Sequence, residues 1–211
     1  MENIFSSDNK LFNAVEKCID LIKLNFIWMI FCIPVITIGA STCALHHVAS
    51  RIAAGEDGYI LQPFLKVFKQ KFAQATRMWI PALVIGIGIA ADYRFWSQLL
   101  GTIPSFMKGM VFALGAVYLF FLIYLFPLIA RMDTSWKMTL RNAGVLAFKY
   151  LARTLYMTLW ILIVFFAGRI WAIGMWLTFL AGGSIVALLH EYCLNRIFEK
   201  EVGYWSEISG Q

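Results

Sequence analysis

Long apolar segments with almost no charge constrain the fold of this chain more than any other feature. Of its 211 residues, 61% are hydrophobic and 14% are charged. Soluble domains have about 45–50% apolar and about 25% charged residues, so a water-soluble globule of this length cannot bury so much apolar surface. The composition excludes a disordered chain and predicts an all-α, polytopic transmembrane helix bundle in the lipid bilayer, forming one integral membrane domain over residues 1–211.

The apolar segments predict about five membrane spans, since about 20 residues cross the hydrocarbon core. The predicted spans are residues 24–45, 78–96, 110–130, 154–167 and 170–190. The second has a short apolar centre, so a re-entrant segment remains an alternative there. The last two are divided at Gly168 and Arg169, which carries the only charge between residues 154 and 190.

Basic amphipathic segments separate some of these spans, near residues 60–77 and 134–153. Their apolar residues recur at helical spacing, which predicts helices lying at the membrane interface. Twelve basic residues lie on the side of these two loops and the C-terminus, against six on the other side. The positive-inside rule then places the C-terminus in the cytoplasm, and five crossings place the N-terminus outside. The net charge of +6 is explained by these loops, so we expect no nucleic-acid partner.

Two pairs of potential metal ligands occur at the predicted cytoplasmic ends of the first and last spans. They are Cys43 with His46 and His190 with Cys193, each pair spaced to lie on one helix face. If these ends met, the four side chains would suit tetrahedral zinc. The alternative, which we prefer, is small buried cysteines and interfacial histidines. We therefore predict no metal site and no cofactor.

The predicted spans lack charged groups at their middles that could act in catalysis, whereas an intramembrane enzyme needs a positioned acid, base or nucleophile. No Asp, Glu, Lys or Arg lies at the middle of a predicted span, and such charges are typical of proton relays and coupled transporters. We therefore expect a protein that is not an enzyme and has no catalytic residues.

A possible internal repeat relates residues 39–47 to residues 182–190, at a constant offset of 143. Both segments end a predicted span on the cytoplasmic side. Duplicated architectures are frequent among transporters, and chance similarity among small apolar residues is the alternative.

Several ordered motifs resemble the YesL-like membrane proteins of Gram-positive bacteria, a family built on a domain of unknown function. They are LNFIW at residues 24–28, CIPVITIGAS at 32–41, GEDGY at 55–59 and a FxxxFKQKF motif that begins at residue 64. The resemblance is strong over about residues 5–80 and weak beyond them. The resemblance identifies motif positions at Pro34, Thr37, Gly39 and Ser41, but it implies no role for them.

The resemblance implies an accessory role, because genes of that family often neighbour those of carbohydrate ABC transporters and their sensor kinases. We therefore expect a non-enzymatic accessory to oligosaccharide transport or its sensing, with transporter or sensor kinase subunits as partners. The alternative is a small permease, motivated by the proline-broken spans. Five spans form a small bundle, so a permease would need a homo-oligomer to enclose a pathway.

Overall fold

The fold is an all-α bundle, as the composition predicts. The computed structural model describes the backbone of residues 2–56, 59–132, 135–170 and 172–209, and within these ranges it contains no strand. The helices are α1 (Glu2–Cys32), α2 (Ile38–Ala54), α3 (Leu61–Ser97), α4 (Thr102–Arg131), α5 (Trp136–Lys149), α6 (Leu151–Ile170), α7 (Ala172–Leu177) and α8 (Gly183–Ser209). A 3₁₀ turn at Val35–Thr37 joins α1 to α2, and a π-helical segment at Thr178–Gly182 joins α7 to α8.

Four segments of the described chain are long and apolar enough to cross a bilayer, and they fit a multi-pass membrane protein. They are Leu61–Ser97, Thr102–Arg131, Leu151–Arg169 and Gly174–Ile197. Each contains or overlaps one of the predicted spans at 78–96, 110–130, 154–167 and 170–190. The first predicted span is the exception.

The predicted span at residues 24–45 is a helical hairpin and not one continuous helix. Pro34 has extended backbone angles and no N–H, so α1 ends before it. The Thr37 hydroxyl donates to the carbonyls of Phe31 and Pro34, at 2.6 and 2.7 Å. The chain then reverses, and the Ser41 hydroxyl donates to the Trp28 carbonyl at 3.1 Å. The apolar arms, 24–32 and 38–45, rise only about 12–14 Å each, less than the hydrocarbon thickness.

This hairpin removes the basis for an external N-terminus. That prediction required one crossing between the N-terminus and Gly55, whereas α2 returns along α1. The described residues contain four helices that are candidate spans by length and composition.

The predicted interfacial segment at residues 60–77 and the second span form one helix, α3, with Pro81 inside it. Its 37 residues rise about 55 Å, against about 30 Å of hydrocarbon. The segment is therefore not a separate interfacial helix, and span two is not re-entrant. The first half of α3 packs on α2, where Phe64 and Val67 share a core with Val48 and Ile52.

The other predicted amphipathic segment, 134–153, is largely α5, whose buried face is Thr139, Ala143, Leu146 and Ala147. The predicted division at Gly168 and Arg169 lies inside α6, which continues to Ile170. Gly168 still lies where α6 and the following π-helical segment come close together, because a Cβ there would lie 3.1 Å from the Thr178 hydroxyl. Its missing side chain therefore lets α6 approach the π-helical segment.

The π-helical segment is completed by a side chain from α1. The buried Asn25 amide donates to the Phe179 carbonyl at 2.8 Å and accepts from the Ser184 N–H at 3.2 Å. A π-helical turn disrupts the regular backbone ladder, and its polar groups need partners in an apolar interior. Asn25 supplies them, which fixes the hairpin against the last span.

Candidate functional site

A buried ionic network joins α2, α4 and α8 at the end of the bundle where α4 finishes. The Glu191 side chain is fully buried, and one carboxylate oxygen accepts from His46 Nδ1 at 2.9 Å. The other oxygen accepts from the Arg131 guanidinium. Arg131 also donates to the Ser50 hydroxyl, at 3.0 Å, and to the Asn195 side-chain oxygen.

Local sequence spacing places these groups together. Glu191 and Asn195 are four residues apart on α8, as are His46 and Ser50 on α2, so each pair lies on one helix face. Arg131 is the last residue of α4, where the helix dipole favours a cation. The three helices therefore bring the Glu191 carboxylate, the Arg131 guanidinium and several other hydrogen-bonding side chains to a common point.

A second histidine borders this network. The His190 ring stacks on that of His46 with centroids 6.3 Å apart, and its Nε2 donates to the Met157 carbonyl at 3.1 Å. Since carboxylate and carbonyl oxygens only accept, His46 carries its proton on Nδ1 and His190 on Nε2. Beside them on α2, burial lowers the pKa of the half-buried His47 below its usual range, and Arg51 lowers it further.

The network stabilises the bundle only as a set. Burying a carboxylate costs several kcal/mol unless a cation and hydrogen bonds compensate it. Here Arg131 neutralises Glu191, and His46 satisfies its second oxygen. These contacts therefore hold α2, α4 and α8 together.

The two histidines also lie at the edge of an open cleft of about 440 Å³, a volume typical of small-molecule sites. Most of the lining is apolar, and its polar members include Thr42, His46, Thr178 and His190. This combination suits an amphiphile whose polar end lies near the imidazoles. Within the described residues, no hydroxyl or thiol is hydrogen-bonded to His46, so a nucleophile–base pair of the usual kind is not assembled there.

The motif residues Pro34, Thr37, Gly39 and Ser41 lie together, but in the hairpin and not in the ionic network. Pro34 and Thr37 form its turn, and Ser41 closes it. A Cβ on Gly39 would lie 2.7 Å from the Trp79 Cβ, so this position allows α2 and α3 to touch. The Trp79 indole also donates to the Val35 carbonyl at 2.8 Å. Their structural role is to build the hairpin and attach it to α3.

The potential zinc ligands are only partly brought together. His46 and His190 meet, whereas Cys43 packs in an α2–α3–α4 core and Cys193 beside a different one. No group of three His, Cys, Asp or Glu among the described residues could hold a metal ion.

Sequence reasoning missed Glu191 and Arg131. Glu191 directly follows the predicted span at 170–190, whereas α8 continues to Ser209 and places it within the candidate span Gly174–Ile197. Glu191 lies near one end of that candidate span and not at its middle. The available signal was an acid directly after the last apolar run, four residues before an asparagine.

Comparison with known proteins assigns a family model to part of the chain. Residues 21–93 match the model described as "Protein of unknown function, DUF624". The match covers about a third of the chain and includes the hairpin and most of α3, but neither Arg131 nor Glu191. No curated protein matches the chain. No solved structure matches it either.

Proposed function

We propose that this protein is a non-enzymatic accessory to carbohydrate ABC transport or its sensing, in the cell membrane of a Gram-positive bacterium. The proposal starts from the resemblance to YesL-like proteins, and residues 21–93 match a family model of unknown function. Transporter or sensor kinase subunits are the proposed partners.

The character of the cavities favours this role over a sugar pathway through one chain. Two clefts, of about 480 and 440 Å³, have predominantly apolar walls. A sugar needs many hydrogen-bonding partners, and a pathway across a membrane is marked by polar or ionisable residues facing it. In the described part of the chain, the polar network is instead used to join helices.

The outer face of α5 is the proposed contact with the partner. Met138, Arg141, Val145 and Phe148 recur at helical spacing opposite the buried face of α5. Phe148 is 63% exposed and Val145 50% exposed. Exposed apolar side chains interleaved with a cation are common at protein interfaces.

Affinity purification from native membranes tests the proposal. We expect the tagged protein to recover ABC permease or sensor kinase subunits in a detergent that keeps the transporter intact. The double variant Val145→Ala/Phe148→Ala should recover several-fold less. The matched control, Ile103→Ala/Phe106→Ala, removes side chains of α4 that are more exposed than those of the test pair and should leave recovery unchanged. Recovery of neither kind of subunit by the unaltered protein contradicts the proposal.

A small permease acting as an oligomer is the second candidate. The observation that favours it is the contact between two interrupted segments, in which the Asn25 amide of the hairpin donates to the Phe179 carbonyl of the π-helical segment. Broken helices that meet inside a bundle are typical of transporter binding sites. Reconstituted liposomes decide between the candidates: oligosaccharide flux above that of empty vesicles supports the permease, and its absence with intact protein contradicts it.

The membrane orientation is also part of the proposal. The basic loops and the C-terminus are assigned to the cytoplasm by the excess of Lys and Arg. With four spans and a hairpin that returns the chain, the N-terminus is assigned to the cytoplasm as well.

A further inference from the structure

A second cleft, here called the interfacial groove, lies between α3, α4 and α5 and has a volume of about 480 Å³. Its lining consists of Arg77, Met78, Pro81, Ala82, Ile85, Tyr118, Phe121, Leu125, Trp136 and Leu140. Tyr118 is already engaged, since its hydroxyl donates to the Ala82 carbonyl at 2.6 Å. The groove therefore has apolar walls, with a cation and an indole as its remaining polar groups.

Both polar groups lie at the end of the groove that faces the basic loops. Arg77 directly precedes the apolar part of α3, and Trp136 begins α5, which follows the end of α4. Arginine and tryptophan at such a position are typical of the membrane–water interface. The walls beyond them, at Pro81 and Ile85, continue along the apolar part of α3 toward the bilayer centre.

The charge near this end is cationic and partly uncompensated. Arg77 is exposed and makes no hydrogen bond or ion pair with any residue that the structure describes. Lys137 adds a second cation, with its ammonium 5.4 Å from the centre of the Trp136 ring. Among the residues that the structure describes, no acid lines the groove, and the first acid along α3 is Asp92, about 22 Å farther along the helix.

From this arrangement we propose that the interfacial groove binds an anionic phospholipid of the inner leaflet. The phosphate lies between Arg77 and Trp136, and one acyl chain follows the wall formed by Pro81, Ile85 and Tyr118. Basic pockets between membrane helices on the cytoplasmic side bind anionic headgroups in this manner. A recessed floor, formed by the buried Met78, Ala82 and Leu125, distinguishes the groove from the exposed faces that any lipid can touch.

Lipid retention by the purified full-length chain tests this site. The protein is incorporated into nanodiscs or mixed micelles that contain equal amounts of phosphatidylglycerol and phosphatidylcholine, and retained lipid is identified by native mass spectrometry. We expect phosphatidylglycerol to be retained preferentially, and Arg77→Gln to reduce that preference about five-fold, the effect of one interfacial cation. Ile85→Trp should reduce retention without changing charge, because it fills the apolar wall.

The matched control is Lys66→Gln, which removes an exposed cation from the same half of α3 without touching the groove. Its preference should equal that of the unaltered protein. Equal retention of the two lipids by the unaltered protein overturns the proposal. Equal losses in Arg77→Gln and Lys66→Gln also overturn it, because they indicate attraction to the surface as a whole. Thermal unfolding of each variant separates loss of lipid from loss of fold.

Discussion

Glu191 shows how one residue can decide the packing of three helices. Its carboxylate has no contact with water and depends on Arg131 from α4 and His46 from α2. An ion pair of this kind adds little net stability compared with apolar residues of the same size. Removal of one partner, however, strongly lowers the stability of the protein, because it leaves an uncompensated buried charge. Specific pairing of α2, α4 and α8 is therefore its proposed contribution.

Removal of the cation alone should destabilise the protein strongly. Arg131→Met leaves Glu191 buried without its counter-charge, and we expect the free energy of unfolding to fall by about 3–5 kcal/mol. Denaturant unfolding in detergent, followed by tryptophan fluorescence, measures the change. The control Arg94→Met alters an exposed arginine near the end of α3 and should have little effect.

The double variant Arg131→Met/Glu191→Met should recover most of the loss, because it removes both charges and leaves apolar side chains of similar size. A double variant no more stable than Arg131→Met would contradict the ion-pair explanation. It would indicate that packing around the two side chains matters more than their charges.

At the scale of elements, the close approach of α2 to α3 depends on Gly39. Alanine is normally favoured over glycine inside a helix by about 1 kcal/mol, but at this position a Cβ would lie 2.7 Å from Trp79 Cβ and 3.1 Å from the Ala75 carbonyl oxygen. Neither neighbour is the flexible end of a side chain. Overpacking should therefore outweigh helix propensity.

Gly39→Ala should lower the free energy of unfolding by about 1–3 kcal/mol, the usual cost of forcing atoms into a packed core. The same substitution at Gly88, where a Cβ would meet nothing within 4 Å, should be neutral or stabilising by up to about 1 kcal/mol. Thermal unfolding of the two variants in one detergent provides the comparison. If Gly39→Ala is as stable as Gly88→Ala, then α2 and α3 do not approach as closely as described.

The elements differ in how far their sequences predict them. The span in α4 is predicted by the length of its uncharged apolar run, and α5 is predicted by apolar residues at helical spacing. The hairpin does not, since Pro34 inside an apolar run fits both a kinked span and a chain reversal. The contacts that decide between them, from Trp79 to Val35 and from Ser41 to Trp28, depend on which helices become neighbours.

The candidate site is not predicted by the sequence for the same reason, because its contacts depend on which helices become neighbours. Arg131 and Glu191 are 60 residues apart, and each ends an apolar run in a way that is also typical of an interfacial charge. Helical spacing indicates that Glu191 and Asn195 share a face, but it does not show that this face turns toward α4. Long-range pairing of helices is required to find the network.

At the scale of the whole molecule, the hairpin changes the membrane topology from an odd to an even number of crossings. Four candidate spans connect the loop at Gly55 to the end of α8, so these two lie on one side of the membrane if each candidate crosses once. Since α2 returns along α1, the residues before the hairpin should lie on that side too. Sidedness can thus distinguish the hairpin from a single first span.

Cysteine accessibility tests this topology in intact cells, starting from a variant without the four native cysteines. The exposed positions Glu16, Gln62 and Gln98 are replaced singly by cysteine and treated with a membrane-impermeant maleimide. We expect Gln98→Cys to react from outside, and Glu16→Cys and Gln62→Cys to react only after permeabilisation, because α3 alone separates Gln62 from Gln98. External labelling of Glu16→Cys, with Gln62→Cys protected, would restore a single crossing over residues 24–45 and contradict the hairpin.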